Sequence, residues 1–107
     1  MYKEKIEWYF KKHEQEYLAD LEKLIAIDST RGKQNKNFPY GEGPAKALEI
    51  ILEIAKRFGL YTENWENYLK IVEMMPGKKR KLDIMAHLDV VSGGEGWKKT
   101  EPFKMKI

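Results

Sequence analysis

His87 and Asp89 are the two residues of this 107-residue chain whose types and spacing favour metal chemistry. They lie two positions apart, so in an extended strand both side chains point to the same face. An imidazole ligates zinc directly, and a nearby carboxylate can hold the ring through its other nitrogen and fix the tautomer. The pattern His-x-Asp is weak by itself, because buried His and Asp side chains often simply pair with each other.

The two residues lie inside the most apolar segment of the chain, residues 82–91. Nearly continuous apolar character is typical of a strand covered on both faces, as in the sheet of an α/β protein. A glycine-rich segment, residues 92–97, follows directly, and open α/β sheets bind ligands at the carboxyl ends of their strands. We therefore predict that His87 and Asp89 lie at the carboxyl end of a central strand, on one face, within hydrogen-bonding or shared-metal distance.

Two amphipathic helices are predicted before this segment. Apolar residues recur every three or four positions over residues 4–27, which indicates the first helix. His13 lies on or beside the apolar stripe of that helix, and we interpret it as a residue at the edge of the stripe. The second helix is predicted over residues 44–58, because Pro44 suits a first helical position and Gly59 suits the left-handed residue past the end.

A long loop is predicted between the helices, because residues 29–43 have no period and contain several helix breakers. Loops of this length in compact domains are usually functional or mobile. The sequence Gly41-Glu42-Gly43 inside it is not a phosphate-binding loop, since it lacks the required Lys-Ser/Thr and no strand precedes it.

Strand patterning follows the second helix. Two strands are predicted at Leu60–Trp65 and Tyr68–Met75, joined by a turn at Glu66-Asn67. Pro76-Gly77 marks a second turn before the strand Leu82–Leu88. The fold class is therefore predicted to be α/β, with two helices packed on a mixed sheet of about three strands.

Composition narrows the classes of protein. The chain has no cysteine, which excludes a disulfide framework, a thiolate zinc finger and a cysteine nucleophile. Its longest clean apolar run, Leu24–Ile27, is far shorter than the roughly 20 residues that span a bilayer. Residues 1–5 lack the apolar stretch of a signal peptide. We therefore expect no membrane partner and a cytoplasmic location.

The charge pattern argues against a nucleic-acid partner. The net charge is +3, with both signs interspersed, whereas nucleic-acid-binding domains commonly carry a dense basic stripe. The basic run Lys78–Lys81 could contact phosphate, but a solvated hairpin tip is the preferred interpretation.

The residues around His87 and Asp89 carry a resemblance to a known family. Residues 83–91 read Asp-Ile-Met-Ala-His-Leu-Asp-Val-Val, and Gly-Gly-Glu-Gly-Trp at 93–97 and Pro-Phe at 102–103 follow. This string resembles the first metal-binding motif of the di-zinc aminoacylase/carboxypeptidase-G-like metallopeptidase family. Within that family it is most similar to the bacterial dipeptidase branch, the Xaa-His dipeptidases and carnosinase-like enzymes.

The resemblance extends over most of the chain. Leu24–Ser29 resembles the family's Leu-x-x-Ile-x-Ser, Gly43-Pro44 resembles the start of its second helix, and Asn67-Tyr68 resembles its Asn-Tyr ahead of a strand. Two positions depart from the family pattern, Ser92 for the usual Pro and Ala86 for the usual Gly or Cys. Both changes are small and should leave the ligand in place.

The resemblance implies a peptidase that hydrolyses dipeptides with two zinc ions, cobalt or manganese being possible instead. It assigns a metal-ligand role to His87 and a catalytic role, behind that ligand, to Asp89. It also implies that residues 1–107 are the amino-terminal portion of a zinc-peptidase catalytic domain, because the family's bridging aspartate, glutamate general base and remaining ligands have no counterpart in this sequence. The chain alone is then expected to be inactive and to expose sheet surface for self-association.

Two other classes of function stay open at this point. A non-catalytic binding or assembly module could be derived from such a peptidase and keep the same pattern. A small nucleic-acid-binding domain would use the basic residues Lys78–Lys81, Lys98 and Lys99 together with Trp97, and its affinity would fall steeply with salt. We place the peptidase first and the nucleic-acid-binding domain last.

Overall fold

Two helices and a two-stranded sheet form the fold in the computed structural model, which describes residues 1–80 and 82–107. Their order along the chain is α1 (Tyr2–Ile25), α2 (Glu42–Arg57), β1 (Tyr61–Trp65) and β2 (Leu69–Glu73). The α/β class and both predicted helices are confirmed. The helix ends differ from the predicted ones by about two residues, within the usual uncertainty of helix boundaries.

The core lies on α2, the one helix that contacts α1, β1 and β2. Its inward face buries Pro44, Ala45, Ala47, Leu52 and Ala55. Past its end, Gly59 adopts φ 71°, the left-handed conformation that the sequence predicts there.

Helix α1 buries no residue completely, although its sequence is amphipathic. With about 1.5 Å of rise per residue, its 24 residues extend to about 36 Å, against about 24 Å for the 16 residues of α2. The shorter helix cannot cover the longer one. The aromatic residues near the start of α1, Trp8, Tyr9 and Phe10, are exposed.

An ion pair joins the two helices where they meet. The Arg57 guanidinium donates to both carboxylate oxygens of Asp20, with Nη1 3.0 Å from Oδ1. Glu16 adds a second, longer contact at 3.6 Å from Nη2. The hydrogen bonds from Arg57 lower the pKa of Asp20 below its ordinary value.

The sheet is an antiparallel hairpin whose register runs from Tyr61 opposite Glu73 to Trp65 opposite Leu69. The predicted turn at Glu66-Asn67 is confirmed, and both residues have positive φ, 51° and 59°. Asparagine tolerates this conformation, and here the Asn67 amide N–H donates to Asn64 Oδ1 at 3.0 Å.

The predicted third strand, Leu82–Leu88, is wrong for the residues that the structure describes. They form no strand and pair with neither β1 nor β2, and the isolated parallel bridge between Thr30 and Val90 lies beyond them. The side chains of Leu82, Ile84 and Met85 are exposed. An apolar run indicates that a segment is suited to burial, but burial requires covering layers that the described residues do not supply.

The basic run at 78–81 is described in part. Lys78, Lys79 and Arg80 are exposed, and Lys81 lies outside the described residues. Arg80 forms an ion pair with Glu73 at 2.8 Å, at the end of β2. In the described ranges neither helix combines the length and the apolar content that crossing a bilayer requires.

Truncation of the core should reveal how much α2 contributes to stability. Leu52 is 9% exposed and Leu82 is 78% exposed. Leu52→Ala should lower the free energy of unfolding by about 2 kcal/mol or more, because it removes a buried side chain and leaves a cavity. The same change at Leu82 should stay within about 0.5 kcal/mol. Urea denaturation compares the two variants, and equal effects would contradict this account of the core.

The ion pair between the helices should make stability depend on pH. Because the pKa of Asp20 is lowered in the folded chain, its contribution is present above the ordinary carboxyl pKa of about 3.9 and is lost as the pH falls through the lower folded value. Asp20→Asn should therefore lower the urea midpoint at pH 7, and the difference from the unmodified chain should shrink below about pH 4. Glu22→Gln, on the exposed face of α1, is the control. A pH-independent difference would contradict the prediction.

Candidate functional site

His87 and Asp89 approach each other, as their spacing predicts. His87 Nδ1 lies 3.0 Å from the main-chain oxygen of Asp89 and 3.4 Å from its carboxylate Oδ1. The predicted placement at the end of a central, covered strand is wrong for this segment. The two side chains are 83% and 64% exposed, because the segment that carries them lies outside the sheet.

The geometry of the pair separates the roles of the two ring nitrogens. Nδ1 is directed at two acceptor oxygens of Asp89, so this contact favours the neutral tautomer that carries its proton on Nδ1. The lone pair of Nε2 is then available to a metal ion or a proton donor. Metal-binding histidines in proteins are commonly held in this way, with a carboxylate or carbonyl oxygen that accepts from the other ring nitrogen and fixes the tautomer.

The donor set fits one position of a metal centre. A catalytic zinc site requires three protein ligands and one open position, and here one imidazole is supported by one carboxylate. Elsewhere among residues 1–80 and 82–107, no group of three or more His, Asp or Glu side chains is placed to hold an ion. His87 and Asp89 are therefore chemically suited to a metal but do not complete a site.

The pair opens onto a cavity of about 660 Å³ between α2, β2 and the segment that carries His87. Its apolar wall is formed by Leu48 and Ile51 of α2 and by Leu69 and Val72 of β2. A volume of this size lies within the range typical of small-molecule sites, about 300–1,000 Å³.

Two cationic side chains line the same cavity, Arg31 and Lys70. The Arg31 guanidinium lies 5.4 Å from the ring centroid of Tyr40, which in turn meets the Tyr68 ring edge-on at 5.4 Å. Partial burial lowers the pKa of Lys70, whose ammonium donates to Asn67 Oδ1 at 3.1 Å. Sequence reasoning missed these residues. The one signal in the sequence was the length of the loop at 29–43, which contains Arg31, because loops of this length are usually functional or mobile.

The loop after α1 holds the segment that carries His87 and Asp89. The Ser29 hydroxyl donates to the carbonyl oxygen of Leu88 at 2.8 Å, and the Val90 N–H donates to the Ser29 carbonyl at 3.4 Å. Ser29 is 3% exposed. The loop itself is stabilised at Asp28, whose pKa is lowered by hydrogen bonds from Thr30.

A close approach at Gly43 brings the start of α2 against this loop. A Cβ atom at Gly43 would lie 2.0 Å from the carbonyl oxygen of Asp28. Any side chain there would displace either the helix or the loop, which gives a physical reason for glycine in the Gly43-Pro44 sequence.

The glycine-rich segment after the pair folds back on itself. Trp97 Nε1 donates to the Gly93 carbonyl at 2.7 Å, and Gly94 and Gly96 adopt positive φ of 65° and 88°. A Cβ atom at Gly93 would lie 2.7 Å from Pro102 Cβ. Gly93 therefore lies against both Trp97 and Pro102.

Comparison with known proteins supplies the family. The chain is 49% identical over 92 residues to the Beta-Ala-Xaa dipeptidase of Lactobacillus delbrueckii subsp. lactis, a match that covers 84% of the chain and 19% of that protein. It is 38% identical over 106 residues to a protein of Staphylococcus aureus (strain USA300) named as a candidate dipeptidase, covering 97% of the chain and 21% of that protein. No family model matches the chain.

These relatives are peptidases by name, and the identity extends over nearly the whole chain. The chain belongs to the bacterial dipeptidase family, which confirms the resemblance drawn from its sequence. It spans about a fifth of the length of the curated relatives it matches.

The state of the His87 ring is directly measurable. In the metal-free chain at pH 8, where imidazoles are mostly neutral, we expect His87 as the Nδ1–H tautomer, because that nitrogen faces Asp89. Long-range proton–nitrogen correlation spectra of the ¹⁵N-labelled chain read this tautomer, and His13→Gln assigns the signals. A His87 ring protonated mainly on Nε2 would contradict the geometry.

Proposed function

We propose that this chain is the amino-terminal portion of the catalytic domain of a metal-dependent dipeptidase that hydrolyses short peptides in the cytoplasm. The observation that carries the proposal is the geometry of His87 and Asp89, in which Nδ1 faces Asp89 and Nε2 is left for a metal. The membership of the bacterial dipeptidase family supports it.

In this proposal His87 supplies one metal ligand through Nε2, and Asp89 holds the ring in the required tautomer and orientation. A bound zinc, cobalt or manganese ion would polarise the scissile carbonyl and lower the pKa of a bound water. The remaining ligands and the glutamate that moves the proton would come from sequence other than these 107 residues. The cavity beside the pair has room for a dipeptide, and Arg31 and Lys70 line it. Their positive charge would attract the carboxylate of the dipeptide.

The chain alone is expected to show no peptidase activity. One imidazole leaves a zinc ion mostly ligated by water and weakly held. A missing general base alone costs roughly a hundredfold to ten-thousandfold in rate. Dipeptide hydrolysis by the purified chain with added zinc, cobalt or manganese should therefore equal that of its His87→Ala variant. Turnover above this control would show that the chain, or an oligomer of it, builds a working site.

A chimera tests the proposal in an active context. The chain would replace the matching fifth of the Lactobacillus delbrueckii dipeptidase, and the product would be assayed with a β-alanyl dipeptide and added metal. We expect hydrolysis that falls by about 10–100-fold with Asp89→Ala and by more with His87→Ala. His13→Ala, which removes an imidazole from α1, is the matched control and should retain activity.

Two results would contradict the proposal. One is a folded chimera, shown by its circular dichroism and its elution as a single species, that has no activity with any of the three metals. The other is full activity in the His87→Ala chimera. The first result would instead favour a non-catalytic module, because this segment would then have kept its fold without the chemistry.

A further inference from the structure

We infer that Ser29 is the positioning residue of the His87–Asp89 pair, with its hydroxyl fixing the main chain between the two side chains. The inference rests on the proposed function for its purpose, but its geometry is independent of any metal. It also gives a physical role to the last residue of Leu24–Ser29, the sequence whose resemblance to the dipeptidases has no part in the chemistry above.

Ser29 contacts the main chain at the residue that separates His87 from Asp89. The Ser29 hydroxyl donates to the carbonyl oxygen of Leu88, the single residue between His87 and Asp89, at 2.8 Å. The Val90 N–H donates back to the Ser29 carbonyl at 3.4 Å, and Thr30 forms a parallel bridge with Val90. Ser29 therefore donates one hydrogen bond and accepts another, and the two hold the main chain on both sides of Asp89.

Little else holds this segment among the described residues. Leu82, Ile84 and Met85 are exposed, and the segment does not join the sheet. Ser29, in contrast, is the one buried polar side chain in the described part of the chain. An exposed segment that pairs with no strand has many accessible conformations. The part-buried hydrogen bond at Leu88 selects the conformation in which Nδ1 of His87 lies against Asp89.

The turn that carries Ser29 is itself held in place by two contacts. Asp28 Oδ1 accepts the Thr30 N–H at 3.1 Å and closes a turn around Ser29. The start of α2 lies against the same turn, because Gly43 approaches the Asp28 carbonyl. Ser29 therefore transmits the position of the two helices to the His87–Asp89 pair.

The test uses the complete ¹⁵N-labelled chain without metal at pH 8. A reducing agent keeps the thiol of the cysteine variant reduced. Ser29→Cys keeps a single γ atom, larger than the hydroxyl oxygen, and makes it a much weaker donor. It should keep the native amide dispersion of α1 and α2, while His87 loses its bias toward the Nδ1–H tautomer and the Val90 amide exchanges about fivefold faster. Ser29→Thr keeps the hydroxyl and should retain both signatures. Ser92→Ala removes an exposed hydroxyl from the glycine-rich segment that follows Val91 and is the matched control.

Three results would overturn the inference. The first is a Ser29→Cys chain with an unchanged His87 tautomer and unchanged Val90 exchange. The second is an equal loss in Ser29→Thr or Ser92→Ala. The third is a Ser29→Cys chain without native dispersion, since the hydroxyl would then serve the fold as a whole. His13, on α1, is the internal reference in every spectrum. Because no metal or substrate is present, failure here is distinguishable from failure of the chimera.

Discussion

The close approach of α2 to the loop after α1 is the constraint on which the rest of the structure depends. Gly43 permits it, because a Cβ atom there would lie 2.0 Å from the Asp28 carbonyl oxygen. The approach fixes the turn at Asp28–Thr30, and that turn holds the main chain at Leu88 and Val90 through Ser29. A substitution at Gly43 would therefore shift the segment that carries His87, because the displacement passes through the turn and Ser29 rather than through a direct contact.

The sequence predicted what depends on neighbouring residues. Both helices, the turn at Glu66-Asn67 and the short distance between His87 and Asp89 follow from local periodicity, turn chemistry and spacing. The third strand was wrong because burial is a property of a segment and its covering layers together. Apolar residues at 82–91 indicate only that such layers would be favourable.

The contribution of Ser29 could not be predicted in the same way. Its acceptor lies 59 positions further along the chain, and a serine after a helix is ordinarily interpreted as a local cap or turn residue. The resemblance to the dipeptidase family marked Leu24–Ser29 as notable without giving a reason. The two cationic side chains that line the cavity could not be predicted either. Arg31 and Lys70 come from a loop and a strand that meet only in the folded chain.

The charges that line the cavity and the number of metal ligands lead to the same expectation, that this chain alone holds a divalent cation weakly. Arg31 and Lys70 line the same space as His87 and Asp89, so a divalent cation bound there would be repelled by two positive charges and attracted by one carboxylate. Exposure of the pair weakens each of these interactions, because they act through water. A stable dication at His87 therefore requires further carboxylates, which would both complete the coordination and exclude water.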